Sequence, residues 1–528
     1  MANSTALPGA GPARRRAAGR GKRPRPSLAV VLLCGAISLF ALIPLAYVAT
    51  MTVSAGWDSI QTLVFRPRVA ELLMNTFWLV VLTVPLCILF GVGGAWLVER
   101  TTLRGHRAWS LLLAAPLAIP AFVNSYAWVS AIPSLGGVFS GVLIATLSYF
   151  PLVYIPAAAT LSRLDPSLEQ SAASLGLGPW RTFFRVVLPQ LRLAITGGAL
   201  LVSLHLLSEY GAFALVRFDT FTTAIYEQFQ STFNGTAANM LAGVLVFFCL
   251  LLLLAESRTR GAARYARIGS GAQANPTRLR LRGWAVPSQL ALLALTALAF
   301  GLPLAFVGRW IVAGGADIWN RAELLPALLQ TLGYGLGGAL ATTLLAFPLA
   351  FLVVRYPGWL TRIFESANYI SSSMPGIVVA LAFVTITVRG LPGIYQTAVV
   401  LVAAYVLLFM PRSLVNLRAG LAQAPRELDE AARALGRPPL VAFLRVTLRL
   451  SAPAAAGGAA LVFLGIVNEL TATLLLSPNG THTLATEFWA LSSEIDYAGA
   501  APYALLMIVL SAPMAYLLFS QSKKAAGQ

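Results

Sequence analysis

Long apolar runs recur along the whole chain, separated by short polar segments rich in arginine. A run of about 20 apolar residues can cross the ~30 Å hydrocarbon core of a bilayer as a helix. Helices are expected rather than strands, because the bilayer core offers no water to open backbone groups. The pattern predicts twelve spans, near 28–53, 73–98, 109–130, 138–160, 193–213, 238–255, 287–308, 326–354, 365–388, 394–417, 450–470 and 500–519.

Composition agrees with a chain that lies mostly in lipid. Of the 528 residues, 58% are hydrophobic and only 11% are charged, whereas soluble proteins carry about 25% charged residues. The predicted fold class is therefore an all-α polytopic membrane protein. Its three cysteines all lie inside apolar runs and are interpreted as small buried hydrophobes: Cys34, Cys87 and Cys249.

The net charge of +19 is distributed as in a membrane protein. With the N-terminus in the cytoplasm and twelve spans, most basic residues fall in cytoplasmic segments, including 1–27, 161–192 and 412–449. This is the positive-inside pattern. It predicts a multi-pass protein with both termini cytoplasmic, the lipid bilayer as a partner and no nucleic acid.

The chain contains two related halves. Pro120 and Pro375 match at an offset of 255 residues, and Glu209 and Glu469 match at 260. Two copies with an even number of spans predict a pseudo-two-fold axis along the membrane normal, with a pathway between the halves. The predicted organisation is a basic cytoplasmic arm at 1–27, a first transmembrane domain at 28–257, a cytoplasmic linker at 258–285, a second transmembrane domain at 286–520 and a cytoplasmic tail at 521–528.

Two cytoplasmic loops carry the same motif, the first loop at 166–189 and the second loop at 426–448. Each predicts a short helix, a glycine that ends it in the left-handed conformation, and a second helix leading into the next span. Small and apolar side chains share one face, which fits a groove on another protein. The alternative is an ordinary amphipathic linker, which explains one such loop more readily than two with matching spacing.

The two loops resemble the signature loop of binding-protein-dependent ABC importer permeases, in which this loop docks on the ATPase subunit. The first loop departs from the family pattern at Gln170 and Ser171, and the second at Arg449, where the family has proline. The stronger ATPase contact is therefore expected at the second loop. The resemblance implies ATPase-coupling roles for Glu169, Gln170, Ala172, Gly176, Leu188, Pro189, Glu430, Ala431, Ala432, Gly436 and Leu448.

The sequence contains no motif that indicates ATP binding or catalysis. None of the three lysines lies in a phosphate-cradling Gly-x-x-x-x-Gly-Lys-Ser/Thr motif. The chain is therefore predicted to be a transport subunit without enzymatic activity or a cofactor of its own. The resemblance implies a separate ATPase dimer that binds ATP and Mg²⁺, a soluble substrate-binding protein and a place in the bacterial cytoplasmic membrane.

Among such permeases the chain looks like the fused ferric-iron type, on the segments 208–213, 219–226, 468–476 and 483–486. Fused thiamine permeases and some aminophosphonate permeases share this architecture, and both remain alternatives. A different class, the ion-coupled secondary transporter with twelve spans, also has two six-span halves. It would not need two glycine-centred cytoplasmic loops.

The predicted pathway residues are Glu209, Tyr210, Asn468 and Glu469. A carboxylate within a membrane segment is costly, which makes it a functional candidate, and carboxylate oxygens suit a hard cation such as Fe³⁺. The hypothesis is that the two glutamates line the outer mouth of the pathway. The alternative is that each one caps or pairs locally at a helix end. No residue is assigned as a certain metal ligand.

Overall fold

The computed structural model describes residues 26–164, 166–232, 234–260, 278–371 and 373–525. In these ranges the regular secondary structure is helical, apart from one isolated bridge between Thr101 and Leu279. The predicted basic arm, except its last two residues, lies outside the described residues, as do 261–277 of the predicted linker and 526–528 of the tail. The all-α prediction is confirmed.

The described residues contain nine helices long and apolar enough to cross a membrane, or up to twelve if each of three bent pairs is one span. They follow the predicted order. Spans 1 to 12 are Leu28–Ser54, Pro67–Arg100, His106–Ala118 with Ala121–Ala131, Gly137–Leu161, Pro179–Gln190 with Arg192–Ser208, Gly235–Ala255, Arg282–Gly314, Leu324–Arg355, Trp359–Ser371 with Gly376–Gly390, Ala398–Ala422, Pro439–Val467 and Tyr497–Leu517.

Three predicted spans are not straight. Spans 3 and 9 bend by 91° and 99° immediately before the helices that follow Pro120 and Pro375. Proline has no N–H to donate and disfavours a helical residue before it, so a break is expected at both positions. Span 5 bends by 67° after Pro189, whereas span 11 continues through Arg449, the equivalent position.

Short helices connect the spans at both ends of the bundle. At the end that carries the two loops, which we call the loop end, they are Pro166–Ser174 and Arg426–Ala434. At the opposite end, the far end, they follow spans 1, 5 and 11 and are Gly56–Val64, Gly211–Leu215, Phe221–Gln230, Thr471–Leu476 and Leu484–Ser493.

The first helix of each half packs mainly on the other half. Cys34 and Ile37 of span 1 share a core with Leu349 and Leu414 of the second half, and Asn368 of span 9 donates to Ser38 at 3.2 Å. In turn, Leu292, Leu295 and Ala299 of span 7 lie in the core of the first half. The two halves are thus joined by exchanged helices as well as by the linker.

Glycines allow close backbone contact within the first half. A Cβ atom at Gly198 of span 5 would lie 2.9 Å from the Cα of Val153 in span 4 and 3.1 Å from the carbonyl oxygen of Leu152. A Cβ atom at Gly91 of span 2 would lie 2.9 Å from the amide nitrogen of Tyr154. Span 4 is therefore held between two helices whose backbones approach it directly, as small residues permit in membrane proteins.

Candidate docking loops and central pathway

The first part of each loop is a helix closed by a left-handed glycine. Gly176 has φ +81° and Gly436 has φ +84°, as predicted. The N–H of Leu177 donates to the carbonyl of Ala172 at 3.1 Å, and the N–H of Arg437 donates to that of Ala432 at 3.1 Å. Both loops therefore end their helices with a Schellman motif, which satisfies carbonyls that the helix leaves open.

An ion pair ties each loop helix to a membrane span of its own half. Arg100 at the end of span 2 contacts Glu169 at 3.1 Å, and Arg355 at the end of span 8 contacts Asp429 at 3.0 Å. Both arginine side chains are nearly inaccessible, at 2% and 6% exposure. The pairs occupy matching positions of the repeat. The carboxylate of Glu169, a predicted ATPase contact, is thus engaged within the chain.

The second pair is better supported than the first. Thr447 donates to Asp429 at 2.7 Å and accepts a hydrogen bond from Arg355 at 3.1 Å. The equivalent residue in the first loop is Val187, which has no hydroxyl group. Burial raises the pKa of the Glu169 carboxyl above its ordinary value, and Arg100 offsets this only in part. The first pair therefore stabilises its loop less.

Aromatic contacts hold the second part of each loop against the same spans. Phe183 packs edge-on against Trp96 of span 2, with ring centroids 5.7 Å apart. Phe443 packs edge-on against Phe351 of span 8 at 5.5 Å. Both phenylalanines begin a short π-helical turn, so the loops match in local geometry as well as in sequence. Each loop is a rigid unit fixed at two points.

The outward faces of the loops expose apolar side chains at matching positions. Leu175 is 83% exposed and Leu435 is 84% exposed. Trp180 and Leu440 are exposed next to them, at 66% and 68%. The two loops therefore leave equivalent apolar side chains open at their surfaces.

The other predicted coupling residues divide between the outer and inner sides of the loops. Gln170, Glu430 and Ala431 are exposed, and Ala172 is buried against the rest of the chain. Leu188, Pro189 and Leu448 lie where each loop runs into the next span; Leu188 is half-buried and the other two are exposed. In the loop helices and at their ends, Ala432 is half-buried, and Gly176 and Gly436 are exposed.

The two pathway glutamates lie where spans 5 and 11 end, between the halves. The N–H of Ala212 donates to Glu209 at 2.9 Å, and the N–H of Ala472 donates to Glu469 at 3.0 Å. Each glutamate therefore caps the short helix that follows, as the alternative interpretation expects. They are also close enough to interact electrostatically, and each side chain is only half-buried. A capping role and an accessible pathway position coexist.

The surroundings of the two glutamates differ. The hydroxyl of Tyr149 donates to Glu209 at 2.5 Å. The equivalent of Tyr149 in the second half is Phe409, which has no hydroxyl. Glu469 instead lies against Gly376, where an added Cβ would be 2.7 Å from its Oε1. Gly376 begins the second helix of span 9, and a helix N-terminus favours a negative charge.

The other two predicted pathway residues are engaged in packing. Tyr210 is buried between the rings of Tyr226 and Trp489, with centroids 4.5 Å and 5.1 Å away. Asn468 donates to the hydroxyl of Ser511 in span 12 at 3.2 Å. These side chains join elements around the glutamates.

Arg412 is a functional candidate that the sequence interpretation missed. The prediction placed it at the start of the cytoplasmic segment 412–449, but span 10 continues as one helix to Ala422. The predicted span near 394–417 also includes Arg412, and the structure places this residue well inside the helix, next to Pro411. Its guanidinium stacks over Phe409 at 5.0 Å and interacts electrostatically with Glu469 and His205. Among the described residues, no group of three or more His, Cys, Asp or Glu side chains could hold a metal.

Two repeated helical halves, paired loops and a polar centre define the membrane-spanning subunit of a transporter. Residues 64–257 and 342–524 both match the family model of the binding-protein-dependent transport system inner membrane component, and the chain belongs to this family. The competing prediction, an ion-coupled secondary transporter, is therefore wrong.

Several permeases are similar to this chain. The Fe(3+)-transport system permease protein FbpB 2 of Haemophilus influenzae is 34% identical over 94% of this chain and 98% of its own length. The sulfate permease CysW of Synechococcus elongatus is 27% identical over 43% of this chain and 88% of its own. The molybdenum permease ModB of Escherichia coli is 32% identical over 23% of this chain and 61% of its own.

Proposed function

We propose that this chain is the complete transmembrane pathway of an ATP-driven importer of ferric iron. A separate ATPase dimer binds the first and second loops in the cytoplasm, and a soluble binding protein delivers the cargo to the far end. Both termini are then cytoplasmic, as the arginine distribution favours. The observation that carries this proposal is the pair of loops with equivalent anchors and equivalent exposed apolar faces.

Transport follows alternating access between the halves. Closure of the ATPase dimer moves the two loops towards each other. Because each loop is tied to a span by an ion pair and by aromatic packing, this movement reaches spans 2 and 8 directly. The halves then rock about the space that contains Glu209 and Glu469. The chain itself performs no chemistry on ATP or on the cargo.

Docking is tested by a double variant of the second loop, Ala432→Arg with Gly436→Val. A β-branched residue is strained at φ +84°, by about 1–3 kcal/mol, and arginine adds bulk on the loop helix. We expect at least a tenfold loss of the ATPase that co-purifies with the tagged chain. Gly283→Val is the matched control, since Gly283 lies at the start of span 7, outside both loops, and nothing lies within 4 Å of an added Cβ. Full ATPase recovery with the double variant would disprove docking through this loop.

Iron as the cargo is supported by the relative from Haemophilus influenzae, which matches nearly the whole chain. Thiamine and aminophosphonates remain alternative cargoes, because their fused permeases share this architecture. Sulfate and molybdate are alternatives because permeases for these anions are also similar to this chain. Uptake of labelled ferric iron, thiamine, sulfate and molybdate should be compared in a strain that lacks this transporter and in the same strain complemented with it. If complementation restores the uptake of another cargo but not of ferric iron, the assignment of iron as the cargo is wrong.

The pathway role of the glutamates is tested by Glu209→Gln together with Glu469→Gln. Glutamine keeps a side-chain oxygen that accepts the capping N–H but removes the charge, so the variant separates the pathway role from the capping role. We expect ferric uptake to fall at least tenfold at normal membrane abundance. Glu227→Gln, an exposed glutamate of the short helix Phe221–Gln230, is the control. Unchanged uptake in the double variant would leave the glutamates as caps only.

A further inference from the structure

The central pathway has a second polar layer one helical turn from the glutamates, towards the loop end. His205 precedes Glu209 by four residues, and Gly465 precedes Glu469 by four, so both lie about 6 Å along the helix axis from the backbone of the glutamates. His205 and Gly465 are equivalent positions of the repeat. In the second half Arg412 fills the space, since its Nη1 would lie 2.7 Å from a Cβ at Gly465.

Arg412 is exposed although it lies between helices of the bundle. Phe409 and Gly465 pack against its side chain, and Glu469 and His205 interact with it electrostatically. In the described part of the chain, Arg412 makes no ion pair within 4.0 Å and no side-chain hydrogen bond. It therefore lines an open space between the halves and keeps its donors unused.

His205 places a second polar group beside Arg412. Its Nδ1 lies 2.8 Å from the carbonyl oxygen of Leu201. A carbonyl only accepts, so Nδ1 carries a proton. The tilted ring of Tyr149 packs against the imidazole, with its centroid 5.3 Å away. The layer thus combines a guanidinium with an imidazole.

A charged side chain inside a membrane protein is costly and marks a substrate path by default. A guanidinium offers a planar set of N–H donors that matches the oxygens of carboxylates and oxyanions. A bare cation would be drawn to the glutamates and repelled by Arg412 one turn further on. A species with anionic oxygens would contact both layers in turn.

We propose that Arg412 is a cargo-contact residue that binds an anionic oxygen ligand, either a free oxyanion or an anion carried on the ferric ion. This rests on the proposed function only in taking the chain as an importer. With iron as cargo, the metal passes the Glu209 and Glu469 layer while its anionic ligand engages Arg412. With an oxyanion as cargo, Arg412 is the principal attractive group of the pathway.

The test is uptake by the full transporter in two arms: labelled ferric iron supplied with citrate, and labelled sulfate or molybdate without iron. Removing a hydrogen bond to a charged group costs enough to lower binding about tenfold or more. We therefore expect Arg412→Gln to reduce uptake at least tenfold in the arm that the wild type supports, and Arg412→Lys to reduce it less. Arg309→Gln is the matched control, since Arg309 also stacks on aromatic rings, those of Phe306 and Trp310.

Three outcomes overturn the proposal. Arg412→Gln with unchanged iron uptake removes the role of Arg412 and leaves the iron assignment intact. Full recovery of uptake in Arg412→Leu with Glu469→Leu reduces Arg412 to a counter-charge for Glu469. If the wild-type transporter takes up neither ferric iron nor the oxyanion, both are excluded as cargo. By contrast, uptake of an oxyanion alone, abolished by Arg412→Gln, supports the role of Arg412 and refutes iron.

Discussion

Replacing Asp429 by alanine is expected to abolish most transport while leaving the transmembrane bundle folded. The change leaves the Arg355 charge buried without its partner, and loss of one member of a buried pair costs about 3–5 kcal/mol. It also removes the hydrogen bond that the Thr447 hydroxyl donates to this carboxylate. The loop helix Arg426–Ala434 then loses its tie to span 8, so ATPase closure no longer moves that span. Initial uptake rates at matched membrane abundance measure the effect.

Related variants are expected to reduce uptake by smaller amounts. Thr447→Val gives the second loop the residue of the first, Val187, and should cause a smaller loss. Glu169→Ala should also cost less, because its pair lacks the threonine. Glu427→Ala is the control, since Glu427 lies on the same helix and is exposed. Wild-type uptake by Asp429→Ala would disprove the view that this ion pair transmits movement.

Replacing Gly198 by valine should prevent correct packing of the first half. The added Cβ meets the backbone of Leu152 and Val153, and backbone atoms cannot rotate away as a side chain can. Overpacking of this kind costs about 1–3 kcal/mol, and here it also pushes span 5 away from span 4. We expect a lower melting temperature in detergent and a reduced monodisperse yield on size-exclusion chromatography.

The neighbouring residue provides an internal control for this effect. At Gly197 nothing lies within 4 Å of an added Cβ, so Gly197→Val should change stability by no more than about 0.5 kcal/mol. The two variants share composition, helix and membrane depth. Equal melting temperatures would show that close approach of spans 4 and 5 is not needed for folding.

The sequence predicts the order and number of the spans well, because length and hydropathy alone decide which segments enter a bilayer. It predicts the left-handed glycines because the end of a helix is a local motif, and it shows the repeat through matching residues at fixed offsets. It does not reveal that Pro120 and Pro375 turn their spans through about a right angle, whereas Pro411 leaves its helix intact. That difference depends on the neighbouring helices that satisfy or crowd the backbone.

The site was predicted in part. The loops follow from the motif, but the anchors Asp429 and Thr447 do not, because their partner Arg355 lies more than seventy residues away. The repeat held a usable signal, since Arg100 and Arg355 match, as do Glu169 and Asp429. Arg412 was missed because the prediction counted it with the cytoplasmic segment 412–449, although the predicted span near 394–417 includes it. The contact between Glu209 and Tyr149 could not be predicted either, because it depends on how separate helices pack.

The exchange of first helices between the halves constrains how the chain is made. Span 1 leaves the ribosome first, yet its buried residues Cys34 and Ile37 find their partners around Leu349 and Leu414. More than three hundred residues separate them in the order of synthesis. The nascent N-terminal helix must therefore wait in the bilayer, with this face covered by lipid or by an insertion factor, until the second half arrives.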